Sequence, residues 1–199
     1  MSPNSSDRYM IDTRVSQFTA QAFASGLISA VAHSPKIAIR EWEGLIQMEP
    51  GTLANASLQV RIKANSLEVL DELPDRDRRE LHRVMNQEVL ETSLYPAISY
   101  ESSSALVEKL KEDLYRVQLR GELNLHGISN PLLLVAQVAI GVDSARAHGE
   151  FVVRQSDYDI PIASIAGGTL KLLDELKLSF YVVARKATEE SQNYRSAAF

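Results

Sequence analysis

The chain has 199 residues, of which 45% are hydrophobic and 24% charged, with a net charge of −5 and no cysteine. That length suits one large β domain or two small ones. The missing thiols exclude disulfides, thiolate zinc sites, iron–sulfur clusters and a cysteine nucleophile, and the acidic balance argues against nucleic acid as a partner.

Residues 1–8 are polar and read as a loose N-terminal segment. The opening MSPNSSDRYMID has no apolar run of signal-peptide length, so the expected location is the cytoplasm. No stretch approaches the roughly 18 apolar residues of a membrane-spanning helix. Short strands are expected over 9–12, 15–23 and 37–48. On the last of these, Trp42, Ile46 and Met48 share one side, and Arg40 lies on that side nearer the strand start. Glu49-Pro50-Gly51 then marks a turn. Ala56, Leu58, Val60, Ile62 and Ala64 alternate with Ser57, Gln59, Arg61 and Lys63, the period of a strand with one wet face.

The segment DRDRRELHRVMNQEVLETS breaks this rhythm. Leu81, Val84, Met85 and Val89 recur at helical spacing, Asp75 after Pro74 is the expected N-cap, and Tyr95-Pro96 ends the element. The simplest reading is a helix laid across a sheet or barrel end, with Arg76, Arg78, Arg79 and Arg83 on a solvated face.

A strand over 97–106 follows, and then the longest alternation. In YRVQLRGELN, Tyr115, Val117, Leu119, Gly121 and Leu123 face one way, and Arg116, Gln118, Arg120, Glu122 and Asn124 the other. Ser129-Asn130-Pro131 is expected to turn the chain. Leu132, Leu134, Ala136, Val138 and Ile140 form the next inner series. Leu133, Val135 and Ala139 on its opposite side suggest cover on both faces. Strands over 149–155 and 159–163, a hairpin turn at Ala166-Gly167-Gly168, and a strand carrying Leu176, Leu178, Phe180, Val182 and Ala184 complete the run. Residues 187–199 form a polar tail. The fold class is mainly β: one closed or nearly closed antiparallel sheet, a lipocalin-like barrel of about eight strands with one main α-helix.

Little here carries chemistry. The four histidines, His33, His82, His126 and His148, form no helical ligand pair, and no metal site or cofactor is expected. His126, before Gly127, reads as a structural hydrogen-bonder at a strand end. No Gly-x-Ser-x-Gly elbow occurs, AGGTLK lacks phosphate-loop spacing, and Asp157 and Asp159 lack a calcium loop around them, so no catalytic residue is named. Periodicity does not say whether the barrel interior is filled. On composition, a filled core is the simpler reading.

The order of motifs resembles the YceI-like family of lipocalin-like polyisoprenoid-binding proteins. RYMIDTRVSQF is similar to that family's Tyr-x-Ile-Asp-x-x-x-Ser opening through Tyr9, Ile11, Asp12 and Ser16. Ser66, Arg76, Asp77, Leu90, Tyr95, Pro96, Ile98 and Ser102 resemble its central block, with Tyr100 where phenylalanine is usual. Gly121, Leu123, His126, Gly127 and Pro131 match its Gly-x-Leu-x-Ile-His-Gly-Val-x-x-Pro segment. FVVRQSDYDI resembles the later motif, with Gln155 inserted between Arg154 and Ser156 and Asp159 in place of glycine. The likeness spans residues 9–186. Members are often periplasmic, and the segment GLISAVAHSPK, with Gly26 and His33, looks like one branch of the family.

The resemblance implies an open lumen and a non-enzymatic role: binding or carrying a long-chain lipid, whether polyisoprenoid, quinone or fatty amide. The expected lumen contacts are Trp42, Tyr100, Leu119, Val138, Phe151 and Phe180. The expected head-group contacts are Arg40, His33 and Arg154. The alternative is a filled barrel acting through a homodimer surface, and a hydrolase is the third reading.

Overall fold

The alternating runs lie side by side in one continuous antiparallel sheet. The computed structural model describes residues 7–25, 35–49, 53, 55–162, 164–165 and 170–187. In chain order the strands are β1 (Asp7–Ile11), β2 (Gln17–Ser25), β3 (Lys36–Ile39), β4 (Trp42–Met48), β5 (Ser57–Lys63) and β6 (Leu67–Val69). After helix α1 (Asp75–Val84) come β7 (Ala97–Lys111), β8 (Leu114–Leu125), β9 (Ile128–Ile140), β10 (Ser144–Arg154), β11 (Ser164–Ile165) and β12 (Leu170–Lys186). Among the described residues, β1, β4, β5, β7, β8, β9, β10 and β12 each pair with the next, and β1 pairs back onto β12 with Tyr9 opposite Lys186. The result is a closed eight-stranded barrel with one main helix, and closure removes the edges that would template aggregation.

Three of the eight staves are bent. β2 continues β1 alongside β12, β3 runs into β4, and β6 continues β5, so that β2, β3 and β6 extend the wall at one end. Each bend is fastened by a serine hydroxyl. Ser16 Oγ donates to the Asp12 carbonyl at 2.7 Å and accepts the Val183 N–H at 2.9 Å. Ser66 Oγ donates to the Lys63 carbonyl at 2.7 Å and accepts the Glu41 N–H at 3.0 Å, tying two bends together. Ser102, beside a register shift in β7, accepts the Leu58 N–H at 2.8 Å. A buried hydroxyl that satisfies backbone groups where the ladder breaks removes the cost those groups would otherwise carry.

The β8–β9 connection is a two-residue turn, with Leu125 opposite Ile128 and both His126 (φ 54°) and Gly127 (φ 76°) left-handed. That is the twist a tight hairpin favours. A Cβ on Gly127 would stand 2.6 Å from the Tyr95 ring, so the position needs glycine twice over. The expected turn at Ser129-Asn130-Pro131 therefore comes earlier, and those residues belong to β9. The buried His126 ring packs on Tyr95 with centroids 4.3 Å apart. It donates from Nδ1 to the Tyr158 carbonyl at 3.1 Å and meets the Glu91 carboxylate through Nε2 at 2.9 Å. His126 thus fastens the segment after the helix to the far side of the barrel rim.

Other expectations need correction. The helix starts at Asp75 with Pro74 in the cap position, where no side chain caps it. No strand forms over the described residues 159–162; a 3₁₀ turn spans Gln155–Tyr158 before them and ends at Asp159 in the left-handed region (φ 52°). β9 is covered on one face only, because Leu133, Val135 and Ala139 are exposed on the outer wall. The hairpin expected at Ala166-Gly167-Gly168 lies outside the described residues, although Ser164 and Ile165 pair with Lys171 and Leu170 on either side of it.

Candidate ligand cavity

The inward faces do not fill the barrel. They enclose a cavity of about 1380 Å³, which runs from Leu53 and Met48 at one end to Leu67, Val69 and the helix at the other. The cause is visible in the inner series. Ala20, Ala22, Ala136, Ala145, Ala147 and Ala184 all point inward and line it, and alanine leaves space where a Leu or Phe would meet the opposite wall. The volume exceeds the several hundred Å³ of an ordinary small-molecule pocket.

The aromatic residues lie on one flank. Trp42 of β4 packs edge-on against Phe18 of β2 (5.8 Å between centroids), Phe18 against Phe151 of β10 (6.3 Å), and Phe151 against Phe180 of β12 (6.4 Å). On β7, Tyr100 crosses the wall over Gly121, where a Cβ would stand 2.8 Å from its Cζ. Its hydroxyl donates to the Leu119 carbonyl at 3.0 Å. Burial pushes that phenol up to about 12, so it is a neutral donor with its hydrogen committed to the wall.

At the helix end, Leu81 and Val84 of α1, followed by Met85 and Val89 in a π-helical turn (Met85–Val89), close over the lumen together with Leu90. The π turn closes with the Leu90 N–H donating to the Met85 carbonyl at 2.9 Å. No residue of α1 itself is buried, so the cover rests on half-buried contacts. The polar residues of this rim are acidic: Asp71, Glu72, Asp77 and Glu80 line the mouth. Gln155 lines the same cavity and is 4% exposed.

The six expected lumen residues, Trp42, Tyr100, Leu119, Val138, Phe151 and Phe180, all line the cavity. Of the three expected head-group residues, Arg40 and Arg154 do not line the cavity. Arg40 is exposed on the outside, with Nε 2.6 Å from Glu68. The reason is the bend between β3 and β4. Ile37 and Ile39 point inward before it, Trp42 and Ile46 after it, so the two-residue alternation slips at Arg40–Glu41 and turns Arg40 outward. Arg154 has parity opposite to Phe151 and Val153, and it pairs with Glu175 on the outer wall at 3.0 Å. His33 lies outside the described residues. The lining residues that sequence reading missed include Phe18, Gln155 and the alanines Ala20, Ala22, Ala145 and Ala147. Phe18 shares parity with Ala20 and Ala22, which was the available signal.

The order of these bends, bolts and strands is matched by one protein family: the model of the YceI-like domain covers residues 9–184. The chain belongs to the YceI-like family. Among solved structures, Burkholderia cenocepacia BcnA is similar over 89% of this chain and 99% of its own, with a TM-score of 0.66 at 17% identity. A polyisoprenoid binding domain from Saccharophagus degradans, implicated in plant cell wall breakdown, covers 90% of this chain and 98% of its own, with a TM-score of 0.63 at 14% identity. A Campylobacter jejuni YceI protein reaches a TM-score of 0.60 at 17% identity over 79% of this chain and 88% of its own. No curated protein matches the chain. The motif residues of the YceI-like likeness fall largely on the fasteners of the wall. Ser16, Ser66 and Ser102 fix the bends and the bulge, and His126, Gly127 and Tyr95 form the rim pin. Among the described residues no helix is long and apolar enough to cross a membrane.

Proposed function

We propose that the protein binds or carries a long-chain apolar molecule of polyisoprenoid, quinone or fatty-amide type inside the barrel, and that it does no chemistry on it. The observation that carries this reading is the apolar lumen of about 1380 Å³ that runs between the two barrel ends. The driving force is removal of hydrocarbon from water. At about 0.8 kcal/mol per buried CH₂, a dozen carbons contribute roughly 10 kcal/mol gross, before the costs of ordering the chain. The likeness to a domain described as polyisoprenoid-binding in Saccharophagus degradans supports the same ligand class. Trp42, Tyr100, Leu119, Val138, Phe151 and Phe180 are the contacts this reading assigns to the chain. The filled-barrel alternative finds no support in an interior of this size.

Organic extraction of freshly purified protein, followed by mass analysis, tests the reading. A co-purifying apolar mass, or uptake of a supplied C40 polyprenol with a change in Trp42 fluorescence, is the expected result. Protein that extracts clean and takes up no polyprenol overturns it.

A further inference from the structure

One seam of the wall is not laddered along its length. β8 and β9 stay paired from Leu114 opposite Ala139 to Leu125 opposite Ile128, and β10 and β12 from Ser144 opposite Arg185 to Arg154 opposite Glu175. Between these two complete ladders, β9 and β10 pair only from Ala145 opposite Ile140 to His148 opposite Gln137. Both strands are described throughout, and no residue of 149–154 is in ladder register with β9. Two residues suit a broken ladder. Pro131 of β9 has no N–H to give to either neighbour. Gly149 stands where a Cβ would strike the Val135 carbonyl oxygen, so the strands touch there without continuing the register.

The unladdered stretch is closed at both ends. The short ladder ending at His148 and Gln137 bounds it on one side. On the other, Asn130 Nδ2 donates to the Asp157 carbonyl at 2.6 Å, and His126 holds the Tyr158 carbonyl. At about 3.4 Å per residue, 149–154 make a slit roughly 20 Å long.

A second observation is independent of the pairing: this part of the wall is apolar on both faces. Inside, Leu132, Leu134, Phe151 and Val153 line the lumen, and the Phe180 ring lies against Gly149. Outside, Leu133, Val135 and Val152 are exposed. The outer sides of the flanking strands are polar, with Arg116, Gln118, Arg120 and Glu122 on β8 and Glu175, Lys177 and Ser179 on β12.

We propose that the β9–β10 seam is a side entrance to the lumen, through which a long hydrocarbon passes edgewise between residues 131–136 and 149–154. This rests on the reading of the lumen as a lipid site. A seam held by side-chain contact parts at lower free energy than one held by a hydrogen-bonded ladder. A chain crossing here meets apolar side chains from the outer surface to the cavity, so no charge has to be stripped of water on the way. A slit of this length also admits the chain along its side, where an end opening would require it to thread tip first.

The test exploits the absence of cysteine from the chain. In Leu133→Cys/Val152→Cys the two thiols flank the slit on the outer face, and a bis-maleimide ties them. The same variant capped with N-ethylmaleimide is the untied reference. A C40 polyprenol is supplied in phosphatidylcholine vesicles, and bound polyprenol is extracted and weighed over time. Tying should slow uptake at least about tenfold. Val152→Cys/Lys177→Cys, tied across the laddered β10–β12 seam, should load at the rate of its own capped form. Uptake as fast tied as capped, or equal slowing by the two ties, overturns the side entrance while polyprenol binding keeps the lipid reading standing. No uptake by native and capped protein alike overturns both. Hydrogen exchange on the native protein bears on the seam even if the variants fold poorly. Part of the amides in 131–136 and 149–154 should exchange at least about tenfold faster than those of 117–123, and equal protection rules the entrance out.

Discussion

The two ends of the barrel are built on different principles. At the end away from the helix, β7 and β8 meet across a two-residue turn, with Lys111 opposite Leu114. The stopper there is a compact apolar cluster of Tyr9, Met48, Leu53, Val117, Val138 and Ala184, all buried. At the other end the cover is an amphipathic helix with no buried residue of its own, a π turn and an acidic rim. The first end is held by packing; at the second, Met85 of the π turn packs with Ile39, Ile62 and Leu67, and the bonds of His126 add to that packing. A region with few buried contacts opens at lower free energy than the core, and α1, with no buried residue of its own, is such a region.

The largest expected effect breaks the specific bonds. His126→Ala removes the pin between Glu91 and the Tyr158 carbonyl and leaves that buried acceptor unpaired. A loss of about 2–4 kcal/mol in denaturant unfolding is expected, with faster hydrogen exchange over α1 than over β1 and β12. Equal loosening of both ends would show that the two are one cooperative unit. Next comes the stopper half. Ala136→Phe fills lumen beside Val117 and Val138. It should lower polyprenol uptake by about tenfold, or about 1.4 kcal/mol, with the melting temperature held or raised, because the added ring enters empty space. Unchanged uptake would place the whole ligand in the helix half.

A smaller effect concerns pH. Asp12, at the first bend, is held down to about 2 by the Arg14 guanidinium at 2.9 Å and by Arg185 of β12 at 3.3 Å. A carboxyl lowered on folding contributes stability above its unfolded value of about 3.9, and that contribution disappears as pH falls through about 2. Asp12→Asn should therefore be less stable than wild type at pH 5, and the two should converge near the lower value. A constant difference down to that pH would assign the role to shape instead of charge. The smallest effect is expected at the outer wall. Arg40→Ala and Arg154→Ala break exposed pairs with Glu68 and Glu175, should cost no more than about 1 kcal/mol, and should leave uptake unchanged.

How far the sequence could be read differs between wall and rim for physical reasons. A two-residue period reports which side of a strand is wet, so the run Tyr115–Asn124 was legible to the residue, and so were Phe151 and Phe180. The same rule already turned Arg154 outward once Phe151 was placed inward. Arg40 was misplaced because a bend resets the alternation, and the signal for that bend was Ser66, which binds from 25 residues away. Openness of the lumen was written in side-chain volume rather than polarity: Ala20, Ala22, Ala145, Ala147 and Ala184 count as apolar whether they fill space or leave it. The acidic rim was hidden because Asp77 and Glu80 belong to a helix whose arginines drew the eye, and only the docked helix shows which face looks down the barrel.

The seam between β1 and β12 gives the wall a consequence in time. It joins Tyr9, Met10 and Ile11 to Lys186, Arg185 and Ala184, nearly the full described length apart, and it is only a few residue pairs long. Contacts between such distant residues form slowly. The ring cannot shut until its last stave has left the ribosome, and through that interval its inner face lies open to any hydrocarbon nearby.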